Sequence, residues 1–466
     1  MNIQLPETLI ASLRGVAGFD EAAFRAVHEA PGGGVTAVRR NPAKHPAALE
    51  DFGGDTPGPI RPSGPVPWAS TGVYLPERPL FYLDPRWHAG AYYVQDASSM
   101  SLEFVLRHHQ VFSGSPRILD LCASPGGKST LIAAMLGESG MLVSNEIIHS
   151  RQPALEENLT KWASPSVVLT QSDAAALGQL KGYFDVIVVD APCSGSGLFR
   201  KDPEAISQWS ADLVALCAAR QRRILSDIMP ALREGGLLIY STCSFSAEEN
   251  EQISDYLLED FALESLPVPF DSRWGIVEAT SPRKQATGYR FYPYRLQGEG
   301  FYLACFRNLS NPERQVAARK TKPLWPLATA RQRKVVQSWI QPGGEKICIQ
   351  ERGQLQGICA TVAESLPILQ TGVRVRAAGI LLGRLAGEQM IPAHGLAMSD
   401  WVAEDISRLS LDPSEALAYL RKQDLSRRSY PAGWQLVCLG PWSLGWLKGM
   451  GSRMNNYYPT AWRLRS

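Results

Sequence analysis

A chain of 466 residues exceeds a single compact core, since domains cluster near about 100–200 residues, so roughly two to four domains are expected. The apolar share of 45% and charged share of 20% are ordinary for a globular protein, and no apolar run is long enough to cross a bilayer. With no basic-then-apolar leader at Met1–Asp20, membrane-spanning and secreted classes are set aside, and a cytoplasmic protein without a membrane partner is expected.

Eight cysteines occur without a C-x-x-C pair and seven histidines without ligand spacing, so neither a metal site nor a disulfide framework is expected. The net charge of +2 hides local clusters. Arg314, Arg319, Lys320, Lys322, Arg331, Arg333 and Lys334 form one, and Arg453, Arg463 and Arg465 another; each is either a polyanion-binding surface or solvated charge.

In chain order, Pro6–Val27 reads as amphipathic helices, and the turn at Pro31–Gly34 leads into the β-branched run Val35–Val38. Residues 1–67 are therefore expected to form a small α/β lead-in, ending in a Pro- and Gly-rich loop between Asn41 and Trp68. From Arg117 short apolar strands alternate with helices: Arg117–Leu121, Met141–Asn145, Ser166–Thr170, Phe184–Asp190 and Gly236–Ser241, with Phe301–Arg307 as a last strand. That alternation predicts a parallel sheet covered on both faces, with ligands at the carboxyl ends of its strands. Asp120, Cys122, Glu146, Asp173, Asp190 and Cys243 all fall at or just past those ends. The expected core spans residues 68–308, a basic linker 309–325, and a C-terminal α+β region 326–466. In that last region Lys346–Ile349, Gly372–Arg376 and Gln435–Leu439 read as strands and Asp400–Leu420 as helical.

The stretch Asp120-Leu121-Cys122-Ala123-Ser124-Pro125-Gly126-Gly127-Lys128-Ser129 is a strand end, a glycine turn and a helix start, which together make a cofactor cradle. Gly127-Lys128-Ser129 also mimics the end of a phosphate-binding loop, but that pattern needs glycine where this chain has Cys122. Glu146, about 20 residues beyond the turn, is placed to accept hydrogen bonds from a ribose, and Asp173 to hold an adenine edge; each carboxylate alone is equally a surface acid or helix cap. Asp190-Ala191-Pro192-Cys193-Ser194-Gly195 and Thr242-Cys243-Ser244 deliver two thiols from two strands, whereas the other cysteines read as small buried apolar residues. Carbon 5 of a neutral cytosine is too electron-poor to attack a methyl donor unless a thiolate first adds at carbon 6, and two thiols with an adjacent carboxylate suit that chemistry.

On these motifs, Cys122–Lys128, Asp190–Gly195 and Thr242–Ser244, the chain resembles the Sun-type RNA cytosine-5 methyltransferases from about Asn41 to Arg307. The resemblance implies a Rossmann-like class I methyltransferase core that binds S-adenosyl-L-methionine through Cys122, Ala123, Ser124, Pro125, Gly126, Gly127, Lys128, Glu146, Asp173 and Asp190. It further implies Cys243 as nucleophile, Cys193 aiding release, and Asp190 stabilising the activated base. Tyr92–Met100 and Gly288–Pro293 also look like family segments and are expected beside the substrate cleft. Gly445–Arg465, with Asn455-Asn456-Tyr457-Tyr458-Pro459, resembles a PUA-like RNA-binding module of the bacterial 16S ribosomal RNA branch (RsmF-like). Ile391–Ala397 is similar to a middle element of that branch, and His394 is not expected to be catalytic.

The implied partner is RNA, 16S ribosomal RNA or the small ribosomal subunit, bound by a monomer. Basic side chains would neutralise phosphates, and Trp442, Trp446, Tyr457 and Tyr458 would either stack on unpaired bases or fill a core. Three rivals stand beside this reading: a transfer-RNA cytosine-5 methyltransferase, a DNA enzyme attacking through Cys193, and a ribosome-assembly factor that keeps only the fold. Because a sulfonium carries an already activated methyl group, methylation is expected to proceed unchanged in excess chelator. Turnover lost with chelator and restored by one metal would refute that expectation.

Overall fold

The computed structural model describes residues 5–30, 34–44, 62–311, 325–342, 346–349, 353–425 and 429–465. Helical spacing of apolar residues produces the helices Glu7–Leu13 and Glu21–Glu29, the second capped by Asp20, whose carboxylate accepts from the Ala23 N–H at 3.0 Å. Leu9, Ile10, Leu13 and Phe24 are buried against Phe199, Phe245 and Tyr292, residues of the central domain. The two helices thus complete a core that they cannot form alone.

Next come β1 (Thr36–Arg40), β2 (Gly64–Pro65), β3 (Gly72–Leu75) and β4 (Tyr92–Val94), an antiparallel sheet in the order β2-β3-β1-β4. The expected division after residue 67 cuts this sheet, because β3 and β4 follow it and both pair with β1. The loop expected between Asn41 and Trp68 lies largely outside the described residues.

The central sheet begins with β5 (Arg117–Asp120), β6 (Met141–Asn145), β7 (Val167–Thr170), β8 (Phe184–Asp190) and β9 (Leu232–Thr242), paired in parallel. It continues through β10 (Leu263–Ser265), β11 (Val277–Thr280), β12 (Thr287–Phe291) and β13 (Phe301–Asn308), paired antiparallel. Neighbouring residues along each parallel strand serve opposite layers, as pleating requires. Ile118, Leu142, Val188 and Ile239 pack under helices Ser101–His108 and Gly127–Leu136. Leu119, Val143, Ile187 and Leu238 pack under Ala211–Ile228 and Glu251–Asp260. From β5 the chain steps outward to β6 and β7, then returns to the other side of β5 as β8 and β9. The crevice at that reversal is where such sheets bind ligands.

Beyond the core lie β14 (Lys346–Ile349), β15 (Gln354–Ile358), β16 (Val375–Ala378), β17 (Ile380–Ala386) and β18 (Gln389–Pro392). Four of them form a sheet in the order β14-β15-β17-β18, but β16 pairs antiparallel with β7 and extends the central sheet. Helix Ala360–Leu369 buries Val362, Leu366 and Leu369 in the central core as well. The expected boundary at residue 326 therefore separates segments that share one core. A last sheet comprises β19 (Arg408–Ser410), β20 (Tyr430–Leu439), β21 (Trp442–Gly451) and β22 (Met454–Asn456). The expected helix over Asp400–Leu420 shrinks to Pro413–Leu420, because Asp412 and Glu415 form a capping box and Pro413 takes the first helical position, while β19 occupies the chain before it.

Of the basic cluster, Arg314, Arg319, Lys320 and Lys322 lie outside the described residues. Arg331, Arg333 and Lys334 lie exposed on helix Ala330–Gln337, where Arg331 pairs with Glu388 at 2.7 Å. Trp446 is buried in a cluster that the last sheet shares with Leu355, Ile380 and Leu382 of the sheet before it, and Tyr458 in the core of the last sheet; Tyr457 remains exposed against Trp434.

Arg39 staples the N-terminal sheet to the helix behind the glycine turn. Its buried guanidinium donates to Gln95 Oε1 at 2.8 Å, Thr130 Oγ1 at 2.6 Å and the Gly127 carbonyl at 3.3 Å, and lies 4.7 Å over the Trp162 ring. Arg39→Met strands these acceptors and is expected to cost about 2–3 kcal/mol, read as a lower urea midpoint.

Candidate active site

The glycine turn is built by backbone need. Gly126 sits at φ 116°, a left-handed conformation that side chains resist, and directs the chain into helix Gly127–Leu136 with its first N–H groups facing the crevice end of β5. The Ala123 N–H donates to the Asn145 carbonyl at 2.8 Å, Arg151 Nη2 to the Ser124 carbonyl at 2.6 Å, and Asn158 Nδ2 to the Pro125 carbonyl at 2.9 Å. Residues 121–126 are held by β6 and by helix Gln152–Trp162 with the turn before it.

Three acids stand around this turn. Asp120 is fully buried; its Oδ2 accepts from Ser129 Oγ at 2.7 Å while its Oδ1 has no hydrogen-bond partner. Glu146, also buried, accepts from the Ile148 N–H through Oε1 at 2.9 Å, and its Oε2 takes no hydrogen bond, lying 3.5 Å from Arg151 Nη1. Asp190 Oδ2 pairs with Lys128 Nζ at 2.7 Å, and its Oδ1 accepts from Ser241 Oγ at 2.8 Å. Asp173 caps the short helix Ala174–Gly178 and accepts from the Ala176 N–H at 2.7 Å, so it stands past β7 as an exposed cap. Burial, reinforced by the charges of Asp120, Asp190 and Glu146, pushes the Cys122 thiol up.

The two thiols meet. Cys193 Sγ lies 3.1 Å from Cys243 Sγ, and hydrogen bonding to Cys243 together with burial pushes the Cys193 thiol well above its ordinary range. Gly197 makes the approach of the two loops possible. Its N–H donates to the Cys243 carbonyl at 2.8 Å, and a Cβ there would sit 2.4 Å from the Gly300 carbonyl oxygen and 2.7 Å from that of Cys243.

The two flanking segments differ in position. Gln95 and Tyr93 flank Gly127, where an added Cβ would meet Tyr93 at 3.4 Å and Gln95 at 3.6 Å, and Asp96 pairs with Lys201 at 3.3 Å. Arg290 instead lies behind the Cys243 loop: its buried guanidinium pairs with Glu251 at 2.6 and 2.5 Å and donates to the Phe245 carbonyl at 2.8 Å. Sequence reasoning overlooked Ser241, Ser129 and Arg39 because small polar or basic residues within strands and helices carry no signal of their destination. His394 lies away from the thiols, against Tyr458 and Trp462. Among the described residues no group of three metal-binding side chains occurs and no helix is long and apolar enough to cross a membrane.

A reversing parallel sheet with a glycine turn, an acid at each of three strand ends and paired thiols defines a class I methyltransferase. Residues 112–307 match the family model described as 16S rRNA methyltransferase RsmB/F, and residues 407–464 match that of the methyltransferase RsmF PUA domain. The chain is 30% identical over 412 residues to the ribosomal RNA small subunit methyltransferase F of Erwinia tasmaniensis, covering 85% of this chain and 84% of that one. To the protein of the same name from Salmonella arizonae it is 32% identical over 414 residues, again covering 85% and 84%. Among solved structures, a methyltransferase homolog protein from Pyrococcus horikoshii matches with a TM-score of 0.50 at 26% identity, over 66% of this chain and all, 100%, of that one. NSun6 from the same organism shares the fold with a TM-score of 0.54 at 19% identity, over 67% of this chain and 100% of that one. The chain belongs to the RsmB/F family of 16S rRNA methyltransferases and carries that family's RsmF PUA domain.

Burial pushes the Asp120 carboxyl up to about 7, against the opposing hydrogen bond from Ser129. The folded protein then keeps this proton where the unfolded chain has lost it, so stability falls as pH rises from near 3.8 to about 7. Asp120→Asn cannot ionise and is expected to lack that part of the decline, narrowing the difference between urea midpoints at pH 5 and pH 8.

Proposed function

We propose that this protein methylates carbon 5 of a cytosine in RNA, most specifically in 16S ribosomal RNA or the small subunit, with S-adenosyl-L-methionine as donor and Cys243 as covalent nucleophile. The observation that carries the reading is the 3.1 Å approach of Cys193 Sγ to Cys243 Sγ beside the Lys128–Asp190 pair. A cytosine-5 mechanism has work for two thiols and one carboxylate; methylation of an already nucleophilic nitrogen or oxygen has none.

The donor's fit rests on the acids. Buried Asp120 Oδ1 and Glu146 Oε2 take no hydrogen bond from the protein, and ribose hydroxyls would supply donors. Cys122–Lys128 would hold the rest through the turn and the free helix N–H groups, with Glu146 on the ribose, Asp190 near the cationic centre and Asp173 at the adenine end. When bound, the donor supplies a methyl group activated on a positively charged sulfur.

The protein's own residues account for the remaining chemistry. Cys243 adds as thiolate to ring carbon 6, having released its proton to solvent, and charge develops at ring nitrogen 3. That charge is negative, so Lys128 Nζ supplies N–H donors toward it, and Asp190 stabilises it by donating to nitrogen 3 a proton taken up from solvent, which returns when the ring is restored. After methylation the carbon 5 proton passes to water, the electron pair forms the 5,6 double bond, and the carbon–sulfur bond breaks toward Cys243. Cys193 keeps its proton and stands against the sulfur that leaves, so its S–H is placed to hydrogen-bond that sulfur as thiolate character develops, and Cys243 recovers its proton from solvent. The base must leave its stack to reach a thiol at a strand end, which favours single-stranded or flexible RNA. The PUA domain, with exposed Arg453, Arg463 and Arg465, would neutralise flanking phosphates.

Purified protein with labelled S-adenosyl-L-methionine is expected to form 5-methylcytosine in free 16S RNA or small subunits, but not in transfer RNA or duplex DNA. Cys243→Ala should lower this by about 10³-fold or more and abolish the denaturant-resistant RNA adduct, whereas Cys193→Ala should let the adduct accumulate. An adduct lost in Cys193→Ser and kept in Cys243→Ser would reverse the two roles. Label confined to transfer RNA would change the substrate, and no label at all would favour an assembly factor.

A further inference from the structure

Behind both cysteines lies a fully buried carboxylate that the mechanism above does not use, Glu249. Its Oε1 accepts from the Ser194 N–H at 2.9 Å and from Gln221 Nε2 at 3.2 Å; its Oε2 accepts from Ser194 Oγ at 2.5 Å and Ser244 Oγ at 2.6 Å. Ser194 follows Cys193 and Ser244 follows Cys243, and the two hydroxyls are themselves 3.2 Å apart. Gln221 also donates to the Pro192 carbonyl at 3.1 Å, gripping the first loop ahead of its thiol. The Glu249 backbone is fixed in turn, since its carbonyl accepts from Tyr240 Oη at 2.6 Å, near the end of β9.

We propose that Glu249 is a positioning residue that locks the Cys193 and Cys243 loops to one another and so sets the separation of the two thiols. The proposal rests on the reading of those thiols as nucleophile and release group. Only a carboxylate meets the demand: four donors converge on two oxygens, and an ionised carboxylate is an acceptor-only group with room for four. A glutamine offers one acceptor oxygen and turns two N–H donors toward hydroxyls already committed as donors. Burying the carboxylate opposes its ionisation, and the hydrogen bonds from Ser194, Ser244 and Gln221 counter that cost. Its charge also helps keep Cys193 protonated, so that the S–H remains available to hydrogen-bond the departing sulfur. No substrate atom needs to touch Glu249. Its influence passes through Ser194 and Ser244, each one residue along the chain from a thiol.

The experiment compares Glu249→Gln with the double variant Ser194→Ala, Ser244→Ala, which removes the two hydroxyl donors and keeps the carboxylate. One readout is independent of methylation: the rate at which diamide oxidises Cys193 and Cys243 to a disulfide, scored by mass as the loss of two hydrogens, with diamide taking up both. The other is steady-state methylation of 16S RNA with the adduct yield. Both variants are expected to slow disulfide formation about 10-fold and to lower kcat about 100-fold, the scale of a misplacement near 1 Å, with KM for S-adenosyl-L-methionine unchanged. Glu249→Asp should recover part of each loss. Wild-type rates of both kinds in folded Glu249→Gln would overturn the proposal; if that variant does not fold, wild-type rates in the serine variant overturn it equally. Full methylation by Cys243→Ala would instead remove the nucleophile assignment, while the disulfide rates would still report whether Glu249 couples the loops.

Discussion

The pairing of β8 with β9 governs the rest of the molecule. Asp190 lies opposite Ser241 in that parallel register, so both strands release their loops at the same level, and the thiols two and three residues later arrive together. Parallel strands do not slip readily when both faces are buried, since a shift by one residue would turn every apolar side chain to the wrong layer. Val188, Val189, Ile239 and Tyr240 are all nearly or fully buried, which gives the register its rigidity. The chemistry at the strand ends thus draws its precision from packing some distance beneath it.

The same sheet separates two tasks. On one side of the β8 end, Asp190 faces Lys128 and the glycine turn, where Lys128 pairs with Asp190 and Arg151 stands by Glu146, while buried Asp120 holds its proton more tightly than an ordinary carboxyl. On the other side, the Asp190–Gly195 loop turns toward Cys243. Asp190 therefore belongs to both neighbourhoods, tied to Lys128 on one oxygen and to Ser241 on the other.

Around this centre the peripheral segments act as braces. The N-terminal helices seal the region of Phe199 and Phe245. Arg39 ties the small sheet to the helix behind the turn, and β16 closes the far edge at β7, leaving that edge of the central sheet paired. The last sheet reaches back as well: Tyr458 meets His88 across a hydrogen bond of 3.1 Å. Such contacts orient the PUA domain relative to the catalytic crevice and so bear on which stretch of RNA can present its base.

Local pattern was enough for the central strands and for the residues at their ends. The mainly apolar runs at Met141–Asn145 and Phe184–Asp190 match the observed strands, because a strand covered on both faces draws most of its residues from apolar types, with polar side chains such as Asn145 and Asp190 at its end. The motif residues were equally legible, since glycine, paired thiols and acids at strand ends have few other reasons to coincide. Domain limits were not, because β16 and helix Ala360–Leu369 look like parts of a separate unit until the sheet edge they complete is known. Nor was Glu249 legible: beside Glu248 and ahead of a helix it reads as an ordinary acidic first turn. By itself the sequence determined the central strands and the glycine turn, and it placed two thiols just past the ends of neighbouring strands. Only the tertiary structure decided that Cys193 and Cys243 would touch, that Lys128 would pair with Asp190, and that the carboxylate five residues past Ser244 would also hold Ser194, because those three contacts join residues fifty or more positions apart through packing that local pattern does not encode.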